Sequence, residues 1–196
     1  MAHNQFELLK QRRFLPFFLT QSLGAFNDNV FRNAMLALMV YQMGLSTEQS
    51  TLYANLAPAL FILPYFLFSA TAGQIAEKYE KARLIRVTTA MEIAIMSLAS
   101  FGFIYGIPWL LLFCLFLTGV QSTLFGPVKY AILPQVLAPE ELTGGNGLVE
   151  MGTSISILIG MIAGMSLLMI PDYGPQAAAV AMIALAITGN LVSRAI

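Results

Sequence analysis

Apolar residues fall into six long blocks along the chain, at 14–43, 51–75, 82–105, 108–128, 144–170 and 175–194. The breaks between them read GLSTEQS, AEKYEK, YGIP, LPQVLAPEELTGG and PDYGP, rich in the glycine, proline and small polar residues that end helices and form turns. A helix needs about 20 mostly apolar residues to cross a hydrocarbon core roughly 30 Å thick, and each block reaches that length. The pattern predicts an all-α, polytopic membrane protein, a single domain over 1–196 built as a bundle of six transmembrane helices.

Composition agrees with a bilayer setting. Of 196 residues 58% are hydrophobic and 10% charged, with a mean hydropathy of +0.74, too apolar for a soluble chain of this length. The formal net charge of zero gives no electrostatic footprint for a nucleic-acid partner. Cys114 stands alone in an apolar stretch and His3, expected to be solvated, lies close to the start of the chain, so no disulfide framework, metal site or cofactor is indicated. Phosphate-cradling glycine loops, HExxH and nucleophile-elbow motifs are missing, and a single histidine near the start and a single cysteine in an apolar stretch do not point to histidine or thiol catalysis. The chain therefore reads as a non-enzyme, although composition leaves carboxylate chemistry open. The opening MAHNQFELLKQRR lacks the apolar core of a signal peptide and is expected to be retained.

Basic residues set the orientation. Lys10, Arg12 and Arg13 precede the first block, Lys78, Lys81, Arg83 and Arg86 surround the second break, Lys129 follows the fourth block and Arg194 closes the sixth. The remaining breaks contain none, which predicts both termini on the cytoplasmic side of a six-span topology.

The exception is FNDNVFR at 26–32, which places Asn27, Asp28, Asn29 and Arg32 in the middle of the first block. On a helix, Gln21, Gly24, Asp28, Arg32 and Met35 fall within about 60° of one another. A charge near the centre of a membrane helix costs about 2.5–3.5 kcal/mol on insertion scales, so this stripe must face protein or water. Asp28 and Arg32 have the spacing of an intrahelical ion pair. Two readings stay open: a polar network that locks helix packing, or a polar cavity that binds or couples a transported species. Possible partners are Thr118, Gln121, Ser122, Phe125 and Lys129 on the fourth block, with Pro127 expected to kink or end that helix, and Asn146, Glu150, Thr153 and Ile157 on the fifth. Glu92 lies roughly 15 Å along the third helix from the basic break. Glu150 and Lys129, near block ends, can alternatively snorkel to the interface. Gly152, Ser156, Gly160 and Gly164 form a small-residue ridge suited to close helix packing, and Ser69 and Gly73 suggest a second.

The segment GQIAEKYEKAR resembles the signature loop of the major facilitator superfamily, with Gly73, Glu77, Lys78, Lys81 and Arg83 as the conformational loop; Glu77 stands where the family has aspartate and Glu80 where it often has glycine. QSLGAFNDNVFRNA, FGPVKYAILPQ and LTGGNGLVEMGTSISILIGMIAG resemble the lysophospholipid transporter family, including transporter domains fused to acyl-ACP synthetase or acylglycerophosphoethanolamine acyltransferase. The resemblance implies transport of lysophospholipid, chiefly lysophosphatidylethanolamine, from the outer to the inner leaflet of the bacterial inner membrane for reacylation. It also implies alternating access between two six-helix halves of which this chain is the amino-terminal one, with Asp28, Lys129, Asn146 and Glu150 lining a polar path. Expected partners are the lysophospholipid, membrane lipids, the second six-helix half (in the same polypeptide or as a second copy) and a fused or associated acyltransferase or synthetase. Together with these, Asn27, Arg32, Gln21, Gln121 and Glu92 complete the candidate substrate or coupling residues. The alternatives are a major facilitator for another small solute or drug, and a non-transporting membrane module that anchors a lipid-modifying enzyme.

Overall fold

The computed structural model describes residues 5–196, so His3 lies outside the described residues. Those residues form helices and short links without strands. A 3-10 helix over Gln5–Lys10 leads into six long helices: α1 (Leu15–Ala37, continuing as a π-helical turn over Leu38–Gln42), α2 (Thr47–Lys78), α3 (Lys81–Tyr105), α4 (Pro108–Val136), α5 (Leu142–Leu168) and α6 (Gly174–Ser193). Local chemistry sets their ends. Proline sits in the first turn of α1, α4 and α6, where its missing N–H costs nothing. Ser46 caps α2 in a reciprocal box, its Oγ accepting from the Gln49 N–H while Gln49 Oε1 accepts from the Ser46 N–H, each at 3.2 Å. Gly106, at φ 62°, closes α3 in the left-handed conformation that glycine adopts without strain.

Two expected boundaries move. α4 does not stop at 128 but carries Pro127 and Pro134 inside it and runs to Val136, as membrane helices tolerate proline where neighbours satisfy the freed backbone. The segment from Gly73 to Arg83 is not a loop either. α2 continues through Lys78, α3 begins at Lys81, and only Tyr79 and Glu80 connect them, with the Tyr79 N–H still bonded to the Ile75 carbonyl.

By length and composition, α2, α3, α4, α6 and the stretch Pro139–Leu168 that includes α5 can cross a membrane. α1 departs from the expectation of six comparably apolar spans. Its 23 residues have the length, but Gln21, Asn27, Asp28, Asn29, Arg32 and Asn33 lower its apolarity. It lies instead along α5 and α6, while α2 packs on α4 and α3 sits between α4 and α6. The ridge on α5 makes the α1 contact possible. A Cβ on Gly160 would come within 2.6 Å of the Phe26 carbonyl oxygen, and one on Gly164 within 2.5 Å of that of Val30. Ser69 and Gly73 do not form a second ridge within this chain, since Ser69 is exposed and no atom lies within 4 Å of a Cβ added at Gly73.

Buried side chains gather in two apolar clusters. One joins Leu8, Phe14, Phe17, Ala76, Ile85, Ile132, Leu133 and Leu148 at the end of the bundle that carries every lysine and arginine except Arg32. The other joins Val30, Phe31, Met35, Tyr53, Met96, Phe103, Leu111, Leu115, Leu168 and Met182 toward the opposite end. A polar layer separates them.

Candidate functional site

That layer surrounds a cavity of about 240 Å³ bounded by α1 to α5. α1 contributes Gln21, Gly24 and Asp28, successive turns of one face, and α4 contributes Gln121, Ser122, Phe125 and Lys129 in the same way. α2 supplies Tyr65, α3 supplies Thr89 and Glu92, and α5 supplies Thr153.

At the deep side, Ser122 Oγ donates to Asp28 Oδ2 at 3.3 Å, and Asn27 Nδ2 donates to Glu92 Oε1 at 2.7 Å and to the Met182 carbonyl at 3.1 Å. Gln121 Nε2 donates to the Thr88 carbonyl at 3.3 Å. Gly24 faces Glu92, whose Oε2 would stand 3.8 Å from a Cβ placed there, an ordinary van der Waals contact. Asp28 Oδ1 is buried without a hydrogen-bond partner among the described residues, as are Asn27 Oδ1 and Arg32 Nε. Buried polar atoms left in this state are costly, and such atoms invite a ligand, a partner or water.

At the basic end, Lys129 Nζ lies 3.1 Å from Glu150 Oε1 and donates to Thr153 Oγ1 at 3.1 Å. Tyr130 O–H donates to the same Glu150 oxygen at 2.8 Å, and Thr153 donates to Gln21 Oε1 at 2.8 Å. Ser122 and Lys129 are seven residues apart on α4, which separates the Asp28 end from the ammonium end by about 10 Å along the helix. The cavity thus holds carboxylates at one end and a cation at the other, inside a bundle whose outer surfaces on α2 and α5 are apolar, with Phe66 82% and Ile162 69% exposed.

The expected residues divide. Gln21, Asp28, Glu92, Gln121 and Lys129 line the cavity. Asn27 stands behind it, buried against Glu92. Glu150 sits at the rim, with its side chain 53% exposed. Arg32 lies outside the lining, its guanidinium 4.2 Å from the centroid of the Phe61 ring, and it makes no ion pair with Asp28 among the described residues. Asn146 does not line the cavity, because its amide donates to the Leu142 carbonyl of its own helix. Gly73, Glu77, Lys78, Lys81 and Arg83 lie away from the cavity at the α2–α3 junction, where Lys81 Nζ donates to the Tyr79 carbonyl at 3.4 Å. Sequence reasoning missed Thr20, Tyr65, Thr89 and Tyr130. Tyr130 had a signal, since it adjoins Lys129; Tyr65 had none on a helix that is apolar on every side.

The Major Facilitator Superfamily model matches residues 17–194. The chain is 31% identical to the lysophospholipid transporter LplT of Serratia proteamaculans over 156 residues, covering 80% of this chain and 36% of that protein. It is 31% identical to LplT of Cronobacter sakazakii over the same length and coverage, and 32% identical to LplT of Salmonella typhimurium over 150 residues, 76% of this chain and 35% of that protein. The chain therefore spans about a third of the length of the curated relatives it matches. With nearly its whole length matched by the family model, the chain belongs to the major facilitator superfamily and, within it, is similar to the lysophospholipid transporters.

Proposed function

We propose that the chain forms the amino-terminal six-helix half of a transporter that flips lysophospholipid of the lysophosphatidylethanolamine class. Movement runs from the outer to the inner leaflet of the bacterial inner membrane, where the lipid is reacylated. The observation that carries this reading is one cavity holding the Asp28 and Glu92 carboxylates toward one end and the Lys129 ammonium at the other. A zwitterionic head group needs both signs of charge. The unpartnered Asp28 Oδ1 is an acceptor for its ammonium, and Lys129 is a donor for its phosphate. At about 240 Å³ the cavity lies below the roughly 300–1,000 Å³ of sites that enclose a drug-sized ligand. It is suited to a head group, with the acyl chain left against apolar helix surface or lipid.

The same size supports a second reading, transport of another small polar solute. Saturable binding of glycerophosphoethanolamine or an amino acid without any gain from an acyl chain would favour it. In the lysophospholipid reading the chain performs no catalysis, and acyl transfer belongs to a fused or associated enzyme.

Alternating access requires a second bundle rocking against this one. The apolar faces of α2 and α5 are the surfaces offered to it, and the end rich in lysine and arginine faces the cytoplasm with both termini. The test is flipping of fluorescent lysophosphatidylethanolamine in proteoliposomes. The chain together with its opposing half is expected to flip it, and the 196-residue chain alone is not. A monodisperse monomer of this chain that flips the lipid unaided would refute the two-half architecture.

A further inference from the structure

The contacts that close the cavity at its basic end are polar and centre on one ammonium. α1 is sealed against α5, and α2 against α4, by extensive packing, but α4 and α5 touch little. Between them runs the chain of contacts from Tyr130 and Lys129 on α4 to Glu150 and Thr153 on α5, and from Thr153 on to Gln21 of α1. Its two charged members differ in their surroundings. The Lys129 side chain is 12% exposed and the Glu150 side chain 53%. An ion pair with one half-exposed partner contributes little, so Glu150 can swing into water at small cost. The mostly buried ammonium cannot be left without an anion so cheaply.

We propose that, before substrate binds, Glu150 holds the place that the substrate's phosphate takes: on binding, the lysophospholipid phosphodiester accepts the Nζ–H that Lys129 gives to Glu150, and Glu150 leaves, releasing α4 from α5. This rests on the lysophospholipid reading of the cavity. A phosphodiester and a carboxylate each carry one negative charge, so the exchange leaves the charge around Lys129 unchanged. Thr153 keeps accepting the second Nζ–H at 3.1 Å, and through its bond to Gln21 the exchange is felt on the helix that carries Asp28, two turns further along. A neutral head group cannot make the exchange, because expelling Glu150 would strand the ammonium. Lys129 and Glu150 therefore select for phosphorylated single-chain lipids over monoacylglycerol of the same chain length.

The test is equilibrium binding to the full chain in an uncharged maltoside detergent, with lysophosphatidylethanolamine, monoacylglycerol and glycerophosphoethanolamine as probes. Glu150→Gln removes the internal competitor and is expected to tighten lysophosphatidylethanolamine binding about three- to fivefold, the range open to an exposed ion pair, while monoacylglycerol binding stays put. Glu150→Asp keeps the charge but shortens the reach to Lys129, and is expected to tighten binding as well. Lys129→Gln is expected to erase the preference for lysophosphatidylethanolamine over monoacylglycerol. Glycerophosphoethanolamine should show the same Glu150→Gln gain at lower affinity, which separates the lipid's phosphate from its acyl chain as the source of the effect. If Glu150→Gln binds lysophosphatidylethanolamine no more tightly than wild type, the exchange is wrong and the contact only braces α4 against α5. A gain in Glu150→Gln without one in Glu150→Asp overturns it too, since net charge would then be the cause. Wild type that fails to prefer lysophosphatidylethanolamine over monoacylglycerol overturns the functional reading itself, and the exchange with it.

Discussion

Replacing both Gly160 and Gly164 with alanine tests the packing that holds the polar helix α1 in place. Each new Cβ meets backbone, which cannot rotate away as a side-chain tip can. At Gly160 it would stand 2.6 Å from the Phe26 oxygen and 2.9 Å from Asn29 Cβ, and at Gly164 2.5 Å from the Val30 oxygen and 3.1 Å from the Ala34 nitrogen. Ordinary van der Waals contact begins at 3.4 Å, so α1 and α5 must separate along two successive turns. Overpacking of this kind costs about 1–3 kcal/mol per site. Alanine returns about 0.8–1.0 kcal/mol per site through helix propensity. Because both clashes are with backbone, the upper half of that range applies, and after the propensity gain the double variant should lose roughly 2–4 kcal/mol. Gly147→Ala is the internal control, on the same helix with no atom within 4 Å of its Cβ, and should gain up to about 1 kcal/mol. Reversible unfolding in mixed micelles of rising dodecyl sulfate content, followed by far-ultraviolet circular dichroism, gives both values. A double variant as stable as wild type, or one that shifts in the same direction as Gly147→Ala, would refute the close approach of α1 to α5.

Three further outcomes follow from the same geometry. Cysteines introduced at Glu48 and at Lys81, in a Cys114→Ala background, should label from opposite sides of the membrane, and labelling from one side would contradict the six-span topology. Glu92→Gln keeps an acceptor for the Asn27 amide and should change stability by less than about 1 kcal/mol, whereas Glu92→Leu leaves that buried donor facing an apolar side chain and should cost about 1–3 kcal/mol in the same micelle titration; equal losses would show that the bond does not matter. Arg13 holds both Glu141 oxygens at 2.7 Å and the Val136 carbonyl at 2.9 Å, yet its side chain is 45% exposed, so Arg13→Gln should cost under about 1 kcal/mol. Its effect should appear as faster proteolysis just ahead of α1, and unchanged cleavage there would show that this contact does not tether the segment.

Helical periodicity carried much of this architecture in the sequence, and the departures have local causes. The blocks at 82–105 and 175–194 became Lys81–Tyr105 and Gly174–Ser193; Gly106 marks the end of the first and Gly174 with Pro175 the start of the second. α4 ran past its expected end because Pro127 and Pro134 read as breakers in water but are absorbed in a packed membrane helix. The stripe on α1 located Gln21 and Asp28 correctly, since a face is fixed by the 3.6-residue period. It failed for Arg32, which shares the face but lies beyond the cavity over Phe61. The i,i+4 spacing permits an Asp28–Arg32 pair but does not require it, and Ser122 and Phe61, from other helices, took the two side chains instead. Asn146 shows the opposite limit, because a single sequence cannot say whether an asparagine amide will turn to a cavity or to its own helix. Tyr65 was invisible for a related reason: α2 shows no polar stripe from which to choose a face.

Asp28→Asn tests most directly whether this cavity carries a lysophospholipid head group. The substitution keeps the side chain's volume and its acceptor for Ser122, and removes only the charge. With the opposing half present in proteoliposomes, normal expression and membrane insertion with strongly reduced flipping of lysophosphatidylethanolamine is the expected result. Flipping at the wild-type rate, or failure of the variant to insert at all, would contradict it and assign the carboxylate to structure.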